Sequence, residues 1–326
     1  MRPFAEMPEA DAARVRLVLA DIDDTLTAGG RLPAHAYRAL EDLCNAGFIV
    51  APITGRPAGW CDMIARFWPV AGVVGENGAL YFAYDPASRT MRRVYAASVS
   101  ERAANRARLE AIRERILAEV PGSAVSADQA YREADLAIDF CEDVAPLGME
   151  AVERIKTIFE EAGAVAKISS IHVNGWFGRY DKLSMTRRFA AEVAGLDIDT
   201  DNDRIVFVGD SPNDAPMFAF FSNACGVSSV RNFAGRLEAE PAYVTQGGGG
   251  VGFVEVAERL LAARDRRPGC RGFTQAKLRM SRGGTRFRRR ACLSGSGCAT
   301  ICAPPRPSPG NRRSHPDRCR NRDAVR

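Results

Sequence analysis

No run of about 18 apolar residues occurs anywhere in the 326-residue chain, so no helical membrane span is expected. Met1 to Arg16 lacks the apolar stretch of a secretory signal. No segment repeats. Cysteine is sparse through residue 265. Cys44, Cys61, Cys141 and Cys225 are scattered, mostly within apolar patterns, which reads as reduced, buried thiols rather than a disulfide framework. These absences together set the expectation of a cytoplasmic protein. Two suggestive runs also fall short. The carboxylates Asp197, Asp199, Asp201 and Asp203 lack the glycine that a calcium loop needs at its sixth position, and read as a solvated loop. Gly247 to Gly250 fits no phosphate-loop spacing and reads as a flexible connection.

Charge is present but uneven. Residues 266–326 hold 17 Lys and Arg against 2 Asp and Glu, whereas residues 1–265 hold 28 basic and 38 acidic residues. The pattern is an acidic globular body followed by a basic tail. The tail has no sustained periodicity and is expected to be disordered. Its cysteines (Cys270, Cys292, Cys298, Cys302, Cys319) match no zinc spacing. The body reads as complete by Ala263, so the tail is read as out-of-frame or read-through translation. The alternative is a tail that binds nucleic acid or an acidic surface by counterion release. Nucleic acid is not the favoured partner.

The body is organised around Leu17 to Thr27. Leu17-Val18-Leu19-Ala20 is a continuous apolar run, as in a strand buried on both faces, and it breaks into Asp21-Ile22-Asp23-Asp24-Thr25. Two aspartates at i and i+2 beyond such a strand supply a nucleophile, a carboxylate for proton transfer and a seat for a hard cation. A helix with Tyr37, Leu40, Leu43 and Cys44 follows, then a strand over Phe48 to Ile53 ending in Thr54-Gly55-Arg56-Pro57. Pro57 fits the first position of a helix in which Trp60, Met63, Ile64 and Phe67 read as core. Ala71-Gly72-Val73-Val74 makes a third short strand before Gly75-Glu76-Asn77-Gly78. This is the grammar of a doubly wound, Rossmann-like parallel sheet.

From about residue 84 to 177 the grammar becomes α+β, with a long helix carrying Leu109, Ile112, Ile116, Leu117 and Val120, and strands over 136–141, 165–168 and 171–176. This reads as an inserted domain, dividing the body into 15–83, 84–177 and 178–265, with the tail at 266–326. After the insert, Lys182 opens a helix, and the buried strand Ile205 to Val208 ends in Gly209-Asp210-Ser211-Pro212-Asn213-Asp214. Phosphoryl transfer needs in-line positioning and neutralised charge on three oxygens, which these loop chemistries could supply together.

These four motifs, in this order, resemble those of the haloacid-dehalogenase-like (HAD) phosphatases over about residues 15–265. The insert resembles the C2-type cap of the IIB group, which includes Cof-type, sucrose-phosphate, trehalose-phosphate and mannosyl-phosphoglycerate phosphatases. The resemblance implies a Mg2+-dependent phosphatase acting on a small phosphorylated metabolite, most plausibly a sugar phosphate. It implies Asp21 as nucleophile, Asp23 as acid and base, and Thr54 with the N–H of Gly55 as holders of the phosphoryl oxygens. Lys182 would neutralise charge on them and on Asp21. Asp21, the backbone carbonyl of Asp23, and Asp210 would hold the metal, backed by Asp214, while Asn213 would orient groups of the site. One departure is Asp24, which stands where many relatives carry glycine. A sugar phosphomutase of the same fold is the alternative, and oligomeric state is left open.

Several residues keep two readings. Arg56 fits phosphate contact or surface charge. His172 and Asn174 share one face of their strand and, with Trp176, fit either sugar recognition or a half-exposed strand with a satisfied histidine. Glu76 and Asn77 fit substrate contact or an ordinary turn.

Overall fold

The computed structural model describes residues 1–266; the expectations for the tail lie outside these residues. A short strand β1 (Arg2–Pro3) and helix α1 (Glu9–Arg14) precede β2 (Leu17–Ala20), in which every residue is buried. Helix α2 (Ala34–Asn45), strand β3 (Ile49–Pro52), helix α3 (Ala58–Phe67) and strand β4 (Val73–Gly75) follow as expected. After β5 (Leu80–Asp85) and β6 (Thr90–Tyr95), the insert brings α4 (Val99–Glu119), β7 (Ala124–Val125), β8 (Asp135–Asp139), α5 (Met149–Glu161), β9 (Val165–Ile168) and β10 (His172–Trp176). The chain returns through α6 (Lys182–Phe189), β11 (Ile205–Gly209), α7 (Ala215–Phe220), β12 (Asn223–Gly226), β13 (Tyr243–Val244) and α8 (Gly249–Asp265).

The main sheet is parallel throughout, in the order β1-β13-β12-β11-β2-β3, and a bridge from Ile53 to Val74 joins β4 to its edge. Val18 and Ala20 of β2 pack against α2, α3 and α8, while Leu17 and Leu19 pack against α6 and α7. Both faces are covered, which is why these strands read as unbroken apolar runs. The chain runs outward from β2 through β3 to one side and from β11 through β12 and β13 to the other. The β2/β11 boundary is therefore the topological switch point, where open α/β sheets bind ligands.

The insert is a four-stranded antiparallel sheet, β7-β8-β10-β9, with α4 and α5 on one face. Its separate core gathers Leu109, Ile112, Ile116, Ile138, Val152, Phe159 and Val173. The junction differs from the expected residue 84. The β5–β6 hairpin packs with the parallel-sheet core through Tyr81, Phe82 and Tyr95. The insert's own packing starts with α4, which opens on a capping box between Ser98 and Glu101.

Four smaller expectations are corrected. Trp60, Met63 and Phe67 are exposed, because α3 buries the small face Ala58, Cys61, Ile64 and Ala65 instead. Pro57 is the residue before α3 rather than its first. Cys44 is exposed at the edge of α2, unlike buried Cys61 and Cys225. Leu117 faces outward from α4 while Ile112 and Ile116 face inward.

Candidate active site

The loops leaving β2, β3 and β11 meet the start of α6 at the switch point. Asp21 donates its backbone N–H to Val208 O of β11 at 2.9 Å, which ties the first and last loops together. Asp181 caps α6 by accepting the N–H of Ser184 at 2.7 Å. This helix start lies so close to Gly78 that a Cβ there would come 1.9 Å from Asp181 O, and Gly78 has φ +101°. Only glycine permits that approach. Lys182, first in the helix, is thereby carried into the buried site.

Lys182 Nζ lies 2.8 Å from Asp21 Oδ1 and 2.8 Å from Asp214 Oδ1. Asp214 Oδ2 accepts the backbone N–H of Asp210 at 3.1 Å, and Thr25 donates its hydroxyl to Asp210 Oδ1 at 3.1 Å. Oxygens of Asp21, Asp210 and Asp214 all lie within 4.8 Å of one another, and all three residues are buried. One ammonium thus pairs with two of the three clustered carboxylates. Burial pushes the Asp21 carboxyl up to about 7, against the pull of Lys182. Burial and then the charges of Asp214 and Asp21 push Asp210 well up. Burial opposes the charge on Lys182, but Asp21 and Asp214 outweigh it and hold the ammonium above its usual range. Crowded, buried carboxylate oxygens with a surplus of negative charge are the donor set a hard cation such as Mg2+ takes. The residues present fit that ion. Asp214 shares the oxygen cluster with Asp21 and Asp210, whereas the side chain of Asp23 turns toward Arg56.

Asp23 instead meets Arg56. The guanidinium donates from Nε to Oδ2 at 3.0 Å and from Nη2 to Oδ1 at 2.8 Å. It also donates from Nη2 to Glu142 Oε1 at 2.8 Å and lies 3.6 Å from Asp128, both residues of the insert. Arg56 is therefore neither a surface charge nor free for phosphate. It links the two domains across the site, with its charge 4.5 Å above the ring of Trp60. Thr54 is fully buried, and its hydroxyl accepts the N–H of Arg56 at 3.0 Å, capping its own turn.

The insert faces the site with β8 and β10. Asp23, Gly55, His172, Asn174 and Asn213 line a cavity of about 20 Å3 over Asp21, room for about one water. His172 Nε2 lies 3.0 Å from Glu142 Oε2, in contact but not aimed as a hydrogen bond. Asn174 donates to Asp135 Oδ2 at 3.0 Å, and Asn213 Oδ1 accepts from Ser211 at 2.7 Å. Trp176 stacks on Tyr180 at 5.8 Å and donates to its carbonyl, outside the cavity lining.

Glu76 and Asn77 lie outside that lining too. Both adopt left-handed backbone, with φ 45° and 53°. Asn77 packs behind Gly55 and donates its N–H to Thr54 O at 3.1 Å. The buried carboxylate of Glu76 accepts the N–H of Ala58 at the start of α3, and those of Glu133, Ala134 and Asp135 from the insert. It is a fastening between domains. Burial, then the charge of Asp135, push it up to about 7. Beside it, buried Arg132 pairs with Asp128 and Asp135 and donates to Gly55 O at 2.9 Å. Arg132, Asp135 and Glu142 were not singled out in the sequence. The spacing of Asp128, Arg132 and Asp135 was the available signal, but such charges ordinarily read as solvated.

Asp24 has φ 55°, a left-handed conformation that suits glycine and that Asp and Asn tolerate better than other side chains. Its backbone N–H is held by the hydroxyl of Thr27 at 2.9 Å.

A parallel sheet with acidic loops at its switch point and an α+β insert over them is the haloacid-dehalogenase-like hydrolase fold, and this chain has it. Solved structures share it at low identity. A Thermoplasma acidophilum protein is 18% identical with a TM-score of 0.58, over 76% of this chain and 98% of that one. The C-terminal domain of Candida albicans trehalose-6-phosphate phosphatase is 15% identical, with a TM-score of 0.57 over 78% and 95%. A putative HAD/COF-like hydrolase from Plasmodium vivax is 15% identical, with a TM-score of 0.56 over 78% and 99%. No protein-family model and no curated protein matches the sequence.

Proposed function

We propose that the chain is a phosphoric monoester hydrolase that transfers the phosphoryl group of a small metabolite, most plausibly a sugar phosphate, to Asp21. The observation that carries this reading is the sharing of Lys182 Nζ between Asp21 and Asp214, with Asp23 two residues beyond Asp21. An ammonium there favours the ionised form of Asp21 against burial and offsets charge on the phosphoryl oxygens.

In the first step Asp21 Oδ attacks phosphorus, the ester P–O bond breaks, and a protonated Asp23 gives its proton to the leaving oxygen. In the second, Asp23 takes a proton from water, whose oxygen attacks phosphorus and releases inorganic phosphate and free Asp21. Asp21, Asp210 and Asp214 would hold Mg2+, which would supply charge neutralisation on the phosphoryl group. The backbone N–H of Gly55 and Asn213 would orient the ester. The 20 Å3 cavity is too small for a sugar phosphate. Movement of the insert off the core would widen the entry over Asp21, breaking Arg56–Glu142, and its return would exclude bulk water. His172 and Asn174 would then meet hydroxyls of the sugar.

The test is phosphate release from a panel of sugar phosphates by the full chain with Mg2+. Hydrolysis of one or a few sugars, abolished by EDTA and in Asp21→Asn, is the expected result. No release by folded protein with any ester would overturn the reading. Isomerised sugar phosphate without released phosphate would select the mutase.

A further inference from the structure

The small cavity over Asp21 does not stand alone. Ser169, Ser170, Ser211 and Asn213 line it and also line a cleft of about 350 Å3. That is within the range of small-molecule sites. The cleft follows β9, the edge strand of the insert sheet, which has a strand partner on one side only. Phe140, Met149 and Phe233 give it apolar surface. Its acidic lining residues, Glu153 and Glu238, are exposed.

Lys167 also lines this cleft, and it sits directly across from Asn174 in the β9–β10 register. Paired residues of neighbouring strands point to the same face, so Lys167 shares the site-facing side with Asn174 and His172. The other polar groups of this face are already engaged. His172 meets Glu142, Asn174 meets Asp135, and Asp139 accepts the N–H groups of Cys141, Glu142 and Asp143. Half-buried Lys167 has no side-chain hydrogen bond or ion pair to any described residue. Lysine is also scarce here. Of 45 Lys and Arg residues only four are Lys, of which Lys182 is in the site and Lys156 and Lys167 line this cleft. An ammonium on a flexible stem suits an anion without the planar geometry that Arg selects.

We infer that the β9 cleft receives the leaving group of the substrate, and that Lys167 recognises a second anionic group on it, a carboxylate or a further phosphate. The preferred substrates are then phosphomonoesters whose alcohol part is itself an acid, with its carbon skeleton against Phe140, Met149 and Phe233. The inference rests on the phosphatase reading for the Asp21 end of the site.

The test compares phenyl phosphate, 4-carboxyphenyl phosphate and 1,4-phenylene bisphosphate. For the wild type, kcat/KM should favour one or both acidic esters by about tenfold or more, the worth of one charge-assisted contact. In Lys167→Gln the ratio of acidic to neutral ester should fall toward one. Which acidic ester loses more identifies the anion. Calorimetric binding of the same esters to Asp21→Asn, with and without Lys167→Gln, reads the same preference without turnover. No preference in the wild type, or one that survives Lys167→Gln, overturns the inference. Absence of phosphate release with the binding preference intact would instead count against the phosphatase reading alone.

Discussion

Arg56 grips both carboxylate oxygens of Asp23, at 2.8 and 3.0 Å, while the same guanidinium reaches Glu142 of the insert. The residue proposed to move protons is thus held by a residue that also bridges to the insert. Under the proposed mechanism, opening of the Arg56–Glu142 contact and release of Asp23 for proton transfer are coupled through this one guanidinium. Arg56→Lys keeps the charge but loses the two-pronged geometry. It should lower kcat/KM for phosphate release by about 10- to 100-fold, the worth of one or two charged hydrogen bonds. Unchanged kinetics would mean that the Arg56–Asp23 pair is incidental.

Lys182→Met leaves Asp21 and Asp214 buried without their counter-charge. Removing one partner of a buried ion pair costs about 3–5 kcal/mol. Urea unfolding in EDTA should show a loss of that order. Mg2+ should then stabilise the variant more than the wild type, because it replaces the missing positive charge. A loss below about 1 kcal/mol would contradict the shared-ammonium geometry.

Glu142 carries a pH dependence of known sign. Its contact with His172, and then Arg56, hold its carboxyl down at about 2, against an ordinary value of 4.5. The folded state therefore binds the proton more weakly than the unfolded one. The stabilisation is fully present above pH 4.5 and is lost as pH falls from there toward 2. Thermal unfolding of Glu142→Gln should show a deficit relative to wild type at pH 6 that narrows progressively as pH falls below 4.5 toward 2. A constant deficit across that range would assign it to packing instead.

How much of this was legible follows from what each feature depends on. β2, β3 and β11 were readable because strands covered on both faces leave unbroken apolar runs. Asp21, Lys182 and Asp210 were readable because each motif sits at the end of a core element. The phase of α3 was not readable. Trp60, Met63 and Phe67 have helical spacing, but small residues one step around the helix take the buried side. The fastening by Glu76 and the Arg56–Glu142 and Arg132–Asp135 pairs were not readable either. Glu76 and the Arg56–Glu142 pair join residues far apart in the chain, and Arg132–Asp135, though only three residues apart, looks in the sequence like a solvated pair. The departure at Asp24 gained its meaning only from a φ of 55°, which no side-chain pattern reveals.

The central claim is that Asp21 accepts the phosphoryl group. Beryllium fluoride mimics a phosphoryl group on an aspartate and needs no knowledge of the natural ester. 19F NMR of the full chain with Mg2+ and beryllium fluoride should show bound fluorine signals in the wild type and none in Asp21→Asn. The same bound signals in both proteins, or none in folded wild type, would contradict Asp21 as the acceptor.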